Sequence, residues 1–250
     1  MAAVLRVDEG YQTVSTTPDA PEPEPVDMGS NEYVLKSEYR QGDTIAGLAA
    51  GGAAALIFTT SLLLIALNNP FALSWFTWHA PSNTLSLLVL VLAVAQLQPT
   101  ANPRTKAAGL SRHWLGAAPA ILLVVLGTAA MFTNKVIHDA SHFTTWHGLC
   151  GIIVTALLVA QAAFGASTVF FDGKVWGGSA KAKIWWKYHR LSGYIVIPLM
   201  LLTIHLGGAW STWVQMHTAF IVRLFAYTLA PIVVACGLVA RIRPSKMNFS

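Results

Sequence analysis

From Thr44 to Pro103 the chain carries no Asp, Glu, Lys or Arg. A stretch of that length without a formal charge has no water-facing side, and it is read as embedded in lipid. The break NNPF at 68–71 divides it into two helical spans, about 45–67 and 73–97. Four more charge-poor runs follow: Arg112 to Lys135, Asp139 to Asp172, Arg190 to Arg223 (ending around the Gly207–Gly208 pair), and a last one reaching Ala240 before Arg241. Each is close to the ~20 residues that carry an α-helix across ~30 Å of hydrocarbon. Period-two alternation is absent, so the spans are helices and not barrel strands. The sequence therefore predicts an all-α integral membrane protein, a six-transmembrane-helix bundle over residues 45–240 with antiparallel neighbours joined by short loops.

Composition fits only this class. Hydrophobic residues make up 54% of the chain and charged residues 11%, against roughly 25% charged in a soluble domain. The net charge of +5 conceals two unlike parts. Residues 1–44 hold nine of the eleven carboxylates, and the run TPDAPEPEPVD at 17–27 reads as a disordered acidic tail. No basic segment followed by an apolar one opens the chain, so no cleavable signal peptide is expected. Beyond residue 44 the only acids are Asp139 and Asp172. The cations there sit between apolar runs, which points to membrane topology and away from nucleic acid. With six spans, fourteen of the sixteen Lys and Arg fall on one side, together with both termini and the short segment 241–250. That side is predicted to be cytosolic. Trp75, Trp78, Trp114, Trp146, Trp185, Trp210 and Trp213 fall at predicted helix ends, where an interfacial aromatic belt belongs. Cys150 and Cys236 both lie in apolar runs and form no disulfide framework.

The eight histidines are the most informative residues. His79, His113, His147 and His189 each lie near the start of spans two, three, four and five, spaced by 34, 34 and 42 residues. Because successive spans alternate in direction, His79 and His147 fall near the non-cytosolic face and His113 and His189 near the cytosolic face. An imidazole is costly against hydrocarbon, so these rings are expected to face the bundle interior. Two neutral imidazoles facing across a bundle suit axial ligation of a haem iron. No carboxylate or thiolate accompanies either pair, which argues against zinc or non-haem iron. Small residues near them, Gly116, Ala117, Ala118, Gly148, Gly151 and Gly193, suit a planar ring or close helix packing equally. His205, sixteen residues beyond His189, is a competing ligand better explained by packing; His138 and His142 belong to the non-cytosolic loop, and His217 to the aqueous interface.

Four fragments give these histidines a context: SWFTWH at 74–79, RHW at 112–114, HFTTWHG at 142–148 and KYHRLSG at 187–193. In order on six spans, they resemble the cytochrome b561 family over about residues 45–240. Two departures, a second span ending AQLQPTANPR with its first cation at Arg104, and Ser111 two positions before His113, make the chain similar to the shorter b561-domain-containing branch. The resemblance implies two haem b groups, the non-cytosolic one on His79 and His147 and the cytosolic one on His113 and His189. It implies ascorbate-dependent electron transfer across the bilayer to monodehydroascorbate or a ferric chelate. It allows a homodimer, and it suggests an endomembrane or vesicle membrane.

Lys106, Arg112, Lys183, Lys187 and Arg190 surround the cytosolic pair and would attract an anionic donor. His138 and His142 are the candidates for contact with the acceptor. No GxGxxG segment is present to support a nucleotide-fed reductase. The alternative reading is a haem-free membrane transporter or sensor that uses the intramembrane histidines.

Overall fold

A computed structural model describes residues 40–68, 74–97 and 103–244. Most of the acidic tail, the break after Asn68 and the last six residues lie outside the described residues. Every regular element among the described residues is helical. The order is α1 (Asp43–Asn68), α2 (Trp75–Ala95), α3 (Pro103–Ile137), α4 (Trp146–Ser167), a 3-10 segment (Phe170–Trp176), α5 (Ser179–Trp210), a short α6 (Thr212–His217) and α7 (Phe220–Ala240). Helices α1 to α5 and α7 are the six that are long and apolar enough to cross a membrane. Within α7, Leu224–Leu229 forms a π-helical turn.

Two helices begin earlier than their charge-free runs. Helix α3 has 35 residues and α5 has 32, about 52 and 48 Å at the α-helical rise. A cation ends a membrane span but does not end a helix, because backbone hydrogen bonding is indifferent to it. Pro103 at the first position also has its φ preset and no N–H to leave unpaired. Arg112, Lys183, Lys187 and Arg190 therefore ride on helix starts rather than in loops. Helix α5 likewise continues past Gly207 and Gly208 to Trp210.

Helix α2 packs along α3, α4 along α5, and α1 against both α2 and α7, with α3 and α4 in contact between them. The core is built of small and medium side chains, among them Ala50, Ala54, Ile57, Leu87, Val91, Ala120 and Val234. Small residues let helix backbones approach where no water is expelled to drive association. Leu63, Leu122, Ile153, Ile195, Leu202 and Val239 point outward and are exposed, as lipid-facing side chains are. Buried hydroxyls find partners: Ser86 donates to the Ala120 carbonyl at 2.7 Å, and Thr128 and Thr155 pair at 2.9 Å across α3 and α4.

One end of the bundle is tied by charges that the sequence assigned to the tail and the C-terminus. Asp43 is the first residue of α1 and is buried. Its carboxylate pairs with Arg243 and accepts the Arg40 backbone N–H at 2.7 Å. The buried Arg241 guanidinium donates to the Asp43 carbonyl and to the Ala95 carbonyl, the latter at 2.8 Å. The cluster joins the start of α1 to the ends of α2 and α7, and Arg241 and Arg243 are thus structural as well as topological cations.

Candidate functional site

His79 lies in the first turns of α2 and His147 in the first turn of α4. The Thr145 hydroxyl accepts the Gly148 N–H at 3.1 Å and so fixes where α4 starts. The two imidazoles face each other with ring centroids 5.9 Å apart. The Nδ1 of His79 donates to the Gly127 carbonyl at 2.8 Å, and the Nδ1 of His147 to the Thr203 carbonyl at 2.9 Å. A carbonyl only accepts, so each Nδ1 carries the proton and each Nε2 keeps a free lone pair. This is the arrangement by which an outer hydrogen bond orients a metal-binding histidine.

His113 on α3 and His189 on α5 form the second pair, at the cation-rich end, with centroids 6.3 Å apart. Their Nδ1 atoms are buried and close no hydrogen bond, although the Ala93 carbonyl lies against His113. His189 is held through its backbone: the Gln161 side-chain amide donates to its carbonyl at 2.5 Å.

Both pairs fit one metal atom between two rings. A metal–imidazole bond of about 2 Å on each side puts the ring centroids about 6 Å apart, which matches both separations. The helices bearing each pair, α2 with α4 and α3 with α5, are not among the closely packed neighbours. Glycine clears the space beside one ring of each pair. A Cβ on Gly207 would lie 2.6 Å from the His147 ring, and one on Gly165 2.7 Å from the His189 ring. A cavity next to His79 and His147 is lined by Phe76, Asn83, Met131, Trp213 and Tyr227. Among the described residues, no cluster of three or more His, Cys, Asp or Glu stands ready for a bare metal ion. Two-imidazole sites of this kind suit a group that supplies its other ligands itself, as haem does.

Residues 98–215 match the family profile for eukaryotic cytochrome b561. Over this stretch the chain is similar to the cytochrome b561 family. Comparison with curated proteins and with solved structures gave no match. A cytochrome b561 domain supports electron transfer across a membrane, haem b is the cofactor of that family, and the six long apolar helices support a multi-pass membrane protein. The match spans His113, His147 and His189; His79 lies before it.

The remaining sequence candidates are distributed over both ends. Lys106 and Arg112 are exposed on the start of α3, where Arg112 Nε donates to the Ala108 carbonyl of its own helix at 3.1 Å. On the start of α5, Lys183 is exposed, Lys187 places its ammonium 5.4 Å from the Tyr188 ring centroid, and Arg190 is half-buried. At the other end, His138 is exposed and donates to the Asn134 carbonyl at 2.7 Å, while His142 stacks on Phe132 with centroids 4.3 Å apart. Neither lines the cavity beside His79 and His147. Both nitrogens of His205 are occupied: Nδ1 donates to the Tyr227 carbonyl at 2.8 Å and Nε2 accepts from the Trp210 indole at 3.1 Å. It therefore drops out as a competing ligand. His217 donates to the Trp213 carbonyl within its own short helix.

Sequence reasoning missed Gln161, Gly165 and the carbonyls of Gly127 and Thr203. A carbonyl carries no residue signature. A glycine in an apolar helix looks the same whether it faces lipid or an imidazole.

Proposed function

We propose that this protein is a cytochrome b561 that holds two haem b groups, one between His79 and His147 and one between His113 and His189, and carries electrons from cytosolic ascorbate to monodehydroascorbate or a ferric chelate on the opposite side. The observation that carries this reading is the pair of ring separations, 5.9 and 6.3 Å, at opposite ends of one four-helix set. Bound there, haem b supplies a one-electron couple at each level.

The chain's own residues do the rest. His79 with His147, and His113 with His189, would each hold one haem between two imidazoles, and a group held in that way would favour outer-sphere electron transfer. The Gly127 and Thr203 carbonyls hold the tautomer and ring plane of the non-cytosolic ligands. The adjacent cavity is largely apolar, with Asn83, Thr84 and Tyr227 among its polar lining. Lys106, Arg112, Lys183, Lys187 and Arg190 create a positive field at the cytosolic end, which draws in an anion such as ascorbate. At the other end Lys135 donates to the Ser141 carbonyl at 2.6 Å, which shapes the loop that presents His138 and His142 to the acceptor. The cation asymmetry supports cytosolic termini, and an endomembrane or vesicle membrane is the location that accompanies this reading.

The test is a reduced-minus-oxidised absorbance spectrum of the purified protein with a haem-to-protein ratio. Two haems per chain, reduced by ascorbate, is the expected result. A colourless protein would overturn the reading in favour of a haem-free transporter or sensor.

A further inference from the structure

Helices α2 and α3, and α4 and α5, form two copies of one device. Each helix carries a ligand histidine near its start and, fourteen residues later, a position that serves the ligand of its antiparallel neighbour. Fourteen residues is about 21 Å along an α-helix and returns to within about 40° of the same face. On α3, His113 is followed by Gly127, whose carbonyl holds His79. On α5, His189 is followed by Thr203, whose carbonyl holds His147. On α2, His79 is followed by Ala93, whose carbonyl lies against His113. On α4, His147 is followed by Gln161.

At this fourth position the device changes. The Nδ1 of His189, like that of His113, is buried with no hydrogen bond, but among the described residues no carbonyl lies against it. Position 161 serves His189 by its side chain instead, with Nε2 donating to the His189 carbonyl at 2.5 Å. The other end of the amide is also fixed, since Oε1 accepts from the Ser192 hydroxyl at 2.7 Å. Ser192 lies on α5 beside His189, so both ends of the Gln161 amide grip the same turn of helix. The ring of His189 meanwhile packs over Gly165, one turn beyond Gln161 on α4. His79 and His147 are oriented by their rings, whereas His189 is oriented by the backbone it hangs from.

We propose that Gln161 is the positioning residue for His189. The proposal rests on the reading that His189 is an axial haem ligand. Without the amide, α5 would be freer to shift against α4 at this turn, and the His189 imidazole would be held less firmly toward a haem bound there. Weaker donation from that imidazole would make reduction of that haem easier.

The experiment is low-temperature electron paramagnetic resonance and redox titration of the oxidised holoprotein. Two low-spin ferric signals are expected, one of which His189→Ala should remove; survival of both would overturn the ligand reading itself. Gln161→Met replaces the amide with an apolar side chain of similar length. It should shift or broaden only the His189-dependent signal and raise the reduction equilibrium constant of that haem about threefold, or ~28 mV for one electron. Ser192→Ala releases one end of the amide and should give a smaller shift of the same sign. If Gln161→Met left the His189-dependent signal and its equilibrium constant at wild-type values, or moved both haems equally, the positioning role would be refuted. Should Gln161→Met fail to fold, an unshifted spectrum in Ser192→Ala would refute it equally.

Discussion

On the proposed two-haem reading, a single methyl group added at Gly207 should weaken the haem assigned to His147 and leave the other in place. The added Cβ would sit 2.6 Å from one ring carbon of His147 and 2.7 Å from Nδ1. Ordinary contact begins near 3.4 Å, so the ring must retreat by about 0.8 Å. That retreat stretches the 2.9 Å bond from Nδ1 to the Thr203 carbonyl beyond hydrogen-bonding range. Loss of such an orienting partner typically costs about 10–100-fold in affinity for the metal group, or ~1.4–2.7 kcal/mol. The substitution has a built-in control. Alanine favours a helix over glycine by roughly 1 kcal/mol, so a general loss of stability is not the expected outcome. Gly165→Ala is the mirror experiment, with its Cβ 2.7 Å from the His189 ring. The assay is haem transfer to excess apomyoglobin, followed at each haem's own absorbance. Gly207→Ala should speed release of the haem that His147→Ala removes, and Gly165→Ala that of the other. Equal release of both haems in either variant, or no change in either, would refute the argument that these glycines seat the ligand rings.

Four further outcomes follow from the same geometry. His79→Ala or His147→Ala should halve the haem-to-protein ratio by emptying one level, and His113→Ala or His189→Ala should empty the other; retention of both haems in His147→Ala would disprove the pairing. Both termini should be cytosolic, so an N-terminal tag should survive protease treatment of sealed vesicles with the cytosolic face inside. The triple variant Lys106→Ala, Arg112→Ala, Lys183→Ala should be reduced by ascorbate roughly tenfold more slowly in low salt, with the difference fading as ionic strength rises and dithionite reduction complete. A wild-type rate in low salt in stopped-flow measurements would leave those cations with a topological role alone. Asp43→Asn should destabilise the bundle by about 3 kcal/mol, because it removes a buried charge that pairs with Arg243; an unchanged thermal midpoint in detergent would show the pair to be dispensable.

The helical class and the number of spans were legible because hydrocarbon imposes one rule on every residue in it. Charges are excluded and backbone groups must pair within the segment, so runs such as 44–103 declare themselves in one dimension. The four ligand candidates were legible for the same reason, since an imidazole is conspicuous in an apolar helix. Helix ends were less so. Arg112 and Arg190 mark where lipid stops, and α3 and α5 continue well beyond them.

What surrounds the histidines was decided only by the fold. Gly127 and Thr203 act through carbonyls that every residue possesses, and only the packing of α2 on α3 and of α4 on α5 aims them at an imidazole. Gly165 and Gly207 matter because a ring on the next helix occupies the space their side chains lack. His205 resembled a ligand in the sequence, yet a tertiary contact to the Tyr227 carbonyl and a local one from Trp210 on the same helix occupy both its nitrogens. Asp43 and Arg243 are two hundred residues apart, and their pairing exists only once α1 and α7 close the bundle. Sequence alone determined which residues enter the membrane, because that choice is a transfer free energy assigned residue by residue. Tertiary structure decided which of them face one another, because hydrogen bonds and ring contacts depend on distances between helices.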